Sequence, residues 1–257
     1  MTTARPARVL VTRPAEQAGP WVERLRERGI FAEALPLIEI APPVEASALR
    51  ASWAGLGACR LVVFVSANAV LHFFAERPAA LDWPEGVAAG APGSGTADAL
   101  REAGVPSAAI VAPAADAAQF DSESLWARLQ ARDWRGARVL VVRGDGGRDW
   151  LAERLADAGA QVETVSAYRR LAPGFTGAAR DRLDAAIADA DAVWLFSSSE
   201  AIANLEQAAG PGRFRAARAV ATHPRIAARA RGLGFGVVVE AAPGFDAVIA
   251  CLQSIEP

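Results

Sequence analysis

The sequence predicts an α/β protein whose strands form doubly wound parallel sheets, organised as two related halves. Three observations predict it. Short, continuously apolar runs such as "LVVFVS" (61–66) and "AVWLFSS" (192–198) alternate with amphipathic segments, as strands covered on both faces alternate with helices. Gly29 sits where the first helix should end. The chain also repeats itself. Residues 7–35 laid over 137–165 without a gap give eleven identities in 29 pairs, among them Arg13 with Arg143 and Gly29 with Gly159. "FVSANAV" (64–70) resembles "FSSSEAI" (196–202), and "TADALREAGV" (96–105) more weakly matches "IAARARGLGF" (226–235). A repeat of strand, turn and helix in register marks related units.

In order along the chain, Val9–Arg13 reads as a short buried strand. Glu16–Arg28 then carries Trp21, Val22 and Leu25 at helical spacing, with Gly29 placed as a helix terminator. The stretches 35–43 ("LPLIEIAPP") and 168–174 ("YRRLAPG") each run from a strand-like segment into proline, which stops regular pairing. They are the candidate crossings between halves. Periodicity alone leaves open whether the halves follow one another or one is inserted in the other. Ser66 and Ser197–Ser199 fall where strand gives way to helix, a natural N-cap position. "APGSGTADALREAG" (91–104) also enters a helix, with Ser94 and Thr96 placed to cap it or to hold an anion on its first free amides. In parallel sheets of this kind, ligands lie beyond the carboxyl ends of the strands, where these loops belong.

Composition narrows the chemistry. The 257-residue chain is 52% hydrophobic and 22% charged, with a net charge of −2 that gives no support for nucleic-acid binding. It contains no lysine, which excludes Schiff-base chemistry and a Walker lysine. Two cysteines and two histidines make a disulfide framework or a His/Cys metal site an unsupported expectation, although a carboxylate-only magnesium site stays open. No apolar run approaches a membrane span, and the opening residues lack a hydrophobic signal region, so a cytoplasmic protein is expected.

The glycine loop 144–148 (Gly-Asp-Gly-Gly-Arg) tests for a nucleotide. A dinucleotide fingerprint needs a third glycine where Asp149 stands, and a P-loop needs a lysine. Asp145 and Asp149 would also repel a phosphate. Asp149 reads instead as a helix N-cap or first-turn acid. What remains open is a plain strand-to-helix turn, or another anion held by backbone amides with Arg143 or Arg148.

Seven stretches taken in order resemble the uroporphyrinogen-III synthase family: "VLVTRP" (9–14), "FVSANAV", "GSGTADALREAG" (93–104), "DSESLW" (121–126), 139–170, "WLFSSSEAIANL" (194–205) and "ATHPRIAARARGLGF" (221–235). The resemblance covers nearly the whole chain. It implies two flavodoxin-like domains joined by a two-stranded linker, with the active site in a cleft between them. The first domain would be discontinuous, about 1–40 plus 172–257. The second, about 43–168, would be inserted into it, with linkers near 36–43 and 168–173.

The implied reaction needs no cofactor. Hydroxymethylbilane, a linear tetrapyrrole with eight carboxylates, loses its hydroxyl to give an azafulvene cation. Attack by the substituted α-carbon of ring D forms a spiro intermediate, which fragments and recloses with ring D inverted. Without selection the cation closes to the type I isomer. Hydroxymethylbilane synthase, which supplies the substrate, is the implied transient partner. By the family pattern Tyr168, the only tyrosine, is the candidate acid for hydroxyl loss, placed as the last residue of its strand. A phenol keeps its proton at neutral pH and can donate it. Its bland alternative is an anchor for the linker.

For the carboxylates the candidate set is Thr12, Arg13, Ser66, Asn68, Ser94, Thr96, Arg143, Gly144, Ser197, Ser198, Ser199 and His223. Arginines and free helix-start amides are the physical complement of such a ligand. Arg13 and Arg143 could equally be structural ion-pair partners, and some of the serines only helix caps. One departure from the family stands out. Its Gly-x-x-Thr-Ala survives at Gly93–Ala97, but "HPRIA" (223–227) puts Ile226 where a threonine is usual, leaving His223 or Thr222 to replace the hydroxyl. His72, within "AVLHFF" (69–74), reads as packing or solvent-facing. The competing function is a non-catalytic two-domain α/β binding or sensor protein. A fold-related glycosyltransferase has no nucleotide-sugar feature to support it.

Overall fold

The structure, a computed structural model, describes residues 8–113, 121–146, 148–242 and 244–255. The N-terminal residues read for a signal region, up to Ala7, and Gly147 of the glycine loop lie outside these. The chain divides into two compact units, one comprising 1–39 and 171–257, the other 40–170. It passes between them within β3 (Glu39–Ala41) and β8 (Gln161–Leu171), the two proline-flanked stretches. These strands are neighbours in one sheet.

The discontinuous unit is built on five parallel strands. β1 (Val9–Val11) lies between β2 (Ala32–Ala34) and β9 (Val193–Phe196), followed by β10 (Arg218–Ala221) and β11 (Val237–Glu240). In chain order this is 2-1-3-4-5, the flavodoxin-like arrangement. Alternation explains the wholly apolar strands. Val9 and Val11 pack with Val22 and Leu25 of helix α1 (Ala15–Glu27) and with Val248 and Ile249 of α10 (Phe245–Ser254). On β9, Trp194 and Phe196 instead meet the rings of Phe214 and Phe235.

The continuous unit holds the order β3-β8-β7-β4-β5-β6, with β7 (Arg138–Gly144), β4 (Leu61–Phe64), β5 (Ala88–Gly90) and β6 (Ile110–Val111). Counted from β7, the strands β8-β7-β4-β5-β6 give the same 2-1-3-4-5 order, circularly permuted. Here too the strands serve two cores. Val62 and Phe64 join Trp53, Phe73 and Trp83 on one face, while Leu61 and Val63 join Leu125, Trp134 and Leu155 on the other.

The repeat read from sequence is therefore a structural one. Val9 pairs Ala32 in the first unit and Val139 pairs Val162 in the second, the same separation in each. Gly29 and Gly159 both take positive φ, 76° and 94°, just past their helices. In each case the next amide donates back to a leucine carbonyl, Ile30 to Leu25 and Ala160 to Leu155, both at 3.0 Å. Only glycine adopts this left-handed turn without strain. The first strand is shorter than expected, ending at Val11 rather than Arg13, because the chain must turn into Pro14, the N-cap residue of α1.

Candidate functional site

Each unit gathers its own set of candidates at the carboxyl ends of its strands. In the continuous unit the set centres on Tyr168, whose side chain is 4% exposed. A break in register puts it there. Val142 pairs Val165 and Arg143 pairs Ser166, but Gly144 pairs Tyr168, so Ala167 is an extra residue. Such a bulge re-aims side chains, and Ala167 and Tyr168 are buried in succession. The ring lies against Gly144 so closely that a Cβ on that glycine would be 2.8 Å from two ring carbons. Gly144 is thus the residue that leaves room for the phenol. The phenol oxygen shares a 3.1 Å hydrogen bond with Ser66 Oγ. Ser66 Oγ also accepts the amide of Ala69 at 3.2 Å as N-cap of α3 (Ala67–Ala75). His72, one turn further along α3, stacks on Tyr168 with centroids 6.0 Å apart. The expectation that Tyr168 ends its strand is corrected. It sits inside β8, which continues to Leu171 because the Asp145 amide donates to the Tyr168 carbonyl and the Asp145 carboxylate accepts the Arg170 amide, both at 2.9 Å.

Chemically, Ser66 can donate to the phenol oxygen while accepting from the helix amide. That arrangement leaves the phenol O–H to donate elsewhere. Asn68 is buried in the first turn of the same helix.

In the glycine loop both arginines have protein partners. Arg143, whose side chain is 12% exposed, forms an ion pair with Asp149 and donates to the Gly146 carbonyl. Arg148 pairs with Glu123 at 2.8 Å. Asp149 does occupy the N-cap position of α6 (Trp150–Asp157), but its side chain makes no cap bond, being taken by Arg143. Ser94 and Thr96 do not cap α4 (Ser94–Glu102) as expected. Gly93, in extended backbone, fills that position. Ser94 is exposed and Thr96 buried.

In the discontinuous unit Thr12 is buried, and its hydroxyl donates to the Leu195 carbonyl at 2.7 Å, tying β1 to β9. Its proton is thereby used within the fold. Arg13 has no hydrogen bond or ion pair among the described residues. Its guanidinium lies 4.4 Å from the centroid of the Trp21 ring, and Nε is enclosed without a partner. Burial pushes its pKa down to about 10. Ser198 is the N-cap of α8 (Ser199–Ala209), accepting the Glu200 amide at 3.2 Å. It is the repeat equivalent of Ser66. Ser197 is half-buried beside it and Ser199 is exposed.

His223 caps α9 (Pro224–Leu233), Nδ1 accepting the Arg225 amide at 3.0 Å. A neutral ring accepting at Nδ1 carries its proton on Nε2, which is the atom left to face a ligand. Thr222 and Ile226 are both buried, so of the two proposed replacements only His223 is exposed.

Sequence reasoning missed the Ser66–Tyr168 bond, the Arg143–Asp149 pair and the Trp21 face under Arg13. One signal was available: Ala167-Tyr168 interrupts the alternation of β8, as a bulge does. A cavity of about 430 Å³ lined by Trp83, Pro84, Val87, Pro106 and Val111 contains none of the candidates. It takes in the first residue of β5, Ala88, whereas the candidates lie at the strands' carboxyl ends. Among the described residues no group of three or more His, Cys, Asp or Glu is placed to hold a metal ion, and no helix is long and apolar enough to cross a membrane.

Comparison with known proteins places these features in a family. Residues 19–250 match the family model described as uroporphyrinogen-III synthase HemD. The uroporphyrinogen-III synthase of Salmonella typhimurium is 34% identical over 174 residues, covering 66% of this chain and 68% of that protein. That of Escherichia coli is 33% identical over 171 residues, with the same coverage. Among solved structures, a mutant uroporphyrinogen III synthase from Thermus thermophilus aligns with a TM-score of 0.60 at 19% identity, covering 96% of this chain and 98% of that one. The Helicobacter pylori enzyme aligns at 0.57 and 13% identity, covering 97% and 100%. At such identities the structures speak for the fold alone.

Proposed function

The chain belongs to the uroporphyrinogen-III synthase family, and from that premise we propose how its residues serve the reaction. It is an enzyme of tetrapyrrole biosynthesis, a lyase acting on a tetrapyrrole. The observation that carries this is the family match across residues 19–250, nearly the whole length of both units.

The substrate is hydroxymethylbilane, delivered by a synthase with which the protein makes transient contact. Tyr168 donates the phenol proton to the departing hydroxyl, and Ser66 holds the phenol oxygen in place. Departure leaves the azafulvene cation. Closure at the substituted α-carbon of ring D gives the spiro intermediate, and its fragmentation and reclosure at ring D's free α-carbon invert that ring, the hydrogen lost there as a proton restoring the phenol. The free cation closes unaided to the wrong isomer, so the protein's contribution lies in holding one conformation and in preorganised polar groups. The carboxylates are met by helix-start amides and polar side chains at the carboxyl ends of the strands, Asn68, Ser197 and His223 among them. The chemistry needs neither redox change nor a Lewis acid.

The test is consumption of freshly prepared hydroxymethylbilane, followed against a protein-free control. Faster loss in proportion to protein concentration is expected. Binding without accelerated loss would identify a non-catalytic binding protein instead.

A further inference from the structure

Arg13 and Arg143 hold the same position in the repeat, yet their surroundings have diverged. The Arg143 guanidinium is taken up within its own unit by the Asp149 carboxylate and the Gly146 carbonyl. Gly19 stands where Asp149 would be in the other half, and no described carboxylate reaches Arg13. Its guanidinium is instead half enclosed over Trp21, with Nε buried and unbonded. A cation desolvated without a counter-charge is costly. Beside it begins α1, where the amides of Ala15 and Glu16 make no backbone hydrogen bond among the described residues, while the Pro14 carbonyl accepts from Gln17 and Ala18. Free first-turn amides favour an anion, although the exposed Glu16 carboxylate in the same turn works against one.

We propose that the duplicated arginines have divided their work: Arg13 binds a carboxylate of the tetrapyrrole, and Arg143 is a latch that fixes the glycine loop. The inference rests on the tetrapyrrole reading of the site. A guanidinium–carboxylate pair is charge-assisted, and planar geometry suits it better than an ammonium.

The test compares steady-state constants for wild type, Arg13→Gln, Arg13→Lys and Arg143→Gln with hydroxymethylbilane, together with their melting temperatures. Arg13→Gln should raise KM about 10–100-fold, as loss of a charged hydrogen bond implies, with kcat changed far less. Arg13→Lys should fall between it and wild type. Arg13→Gln should melt close to wild type, since it removes a desolvated cation and loses that cation's contact with the Trp21 face. Arg143→Gln should melt lower, with a KM shift well below that of Arg13→Gln. An active wild type whose KM is unmoved by Arg13→Gln would overturn the division, as would an Arg143→Gln that raises KM equally. A wild type with no turnover at all would overturn the underlying reading instead.

Discussion

At Tyr168 three residues define one phenol. Gly144 leaves space for the ring, Ser66 holds its oxygen, and the bulge at Ala167 turns it inward. Tyr168→Phe removes the proton but keeps the packing, so kcat should fall about 100-fold or more with the melting temperature close to wild type. An unchanged kcat would leave Tyr168 as a packing residue. Gly144→Ala asks for a Cβ within 2.8 Å of the ring. The ring is buried and its oxygen is held by Ser66, so it cannot swing aside freely; overpacking should cost about 1–3 kcal/mol and lower kcat by displacing the phenol. Both effects are measurable on one preparation, by denaturant titration and by rate. Tyr168 is conspicuous in the sequence because it is the only tyrosine. Its dependence on Gly144 is not, since that contact depends on a bulge which shifts pairing by one residue. The Arg143–Asp149 pair was equally hidden. Asp149 in sequence is a good cap, and only the folded loop shows its carboxylate turned to the arginine.

Helix ends show how local rules carry over from sequence to structure and where they stop. Four helices end alike, with Gly29, Gly104, Gly159 and Gly234 at positive φ and the following amide bonded back to the last turn. Gly29, and Gly159 through the repeat, were legible because glycine is the residue that turn demands. Helix starts were legible only in part. Ser66 and Ser198 cap as serines following a strand should. At α4 the chain arrives through Gly93, already extended, one residue before Ser94, so neither hydroxyl can reach the orphan amides as a cap. Ser198→Ala should cost about 0.5–2 kcal/mol, whereas Ser199→Ala, at an exposed first-turn position, should stay within about 0.5 kcal/mol. Chemical denaturation distinguishes them, and equal losses would contradict the cap assignment.

On the scale of the whole molecule, the repeat accounts for the topology. Both sheets have the order 2-1-3-4-5, one read directly and the other permuted to begin at β7. The alternating α/β character and the register of the repeat were legible because parallel strands buried on both faces leave short, continuously apolar runs; the order of the strands was not. Insertion of one unit into the other was not legible from periodicity, which carries no information on which strands become neighbours. The halves have also diverged in chemistry. Continued without a gap, the repeat sets Ile38 against Tyr168, so only the continuous unit carries a phenol. Of the duplicated arginines, only the one in the discontinuous unit lacks a carboxylate partner among the described residues. Unlike residues on a repeated frame suit an unsymmetrical task, the inversion of one ring among four.

Ring inversion is read directly by isomer composition. Purified protein is mixed with fresh hydroxymethylbilane, the products are oxidised, and the uroporphyrins are separated by chromatography. Predominantly type III uroporphyrin is predicted. Only type I, as in the protein-free control, would rule out ring inversion by this protein.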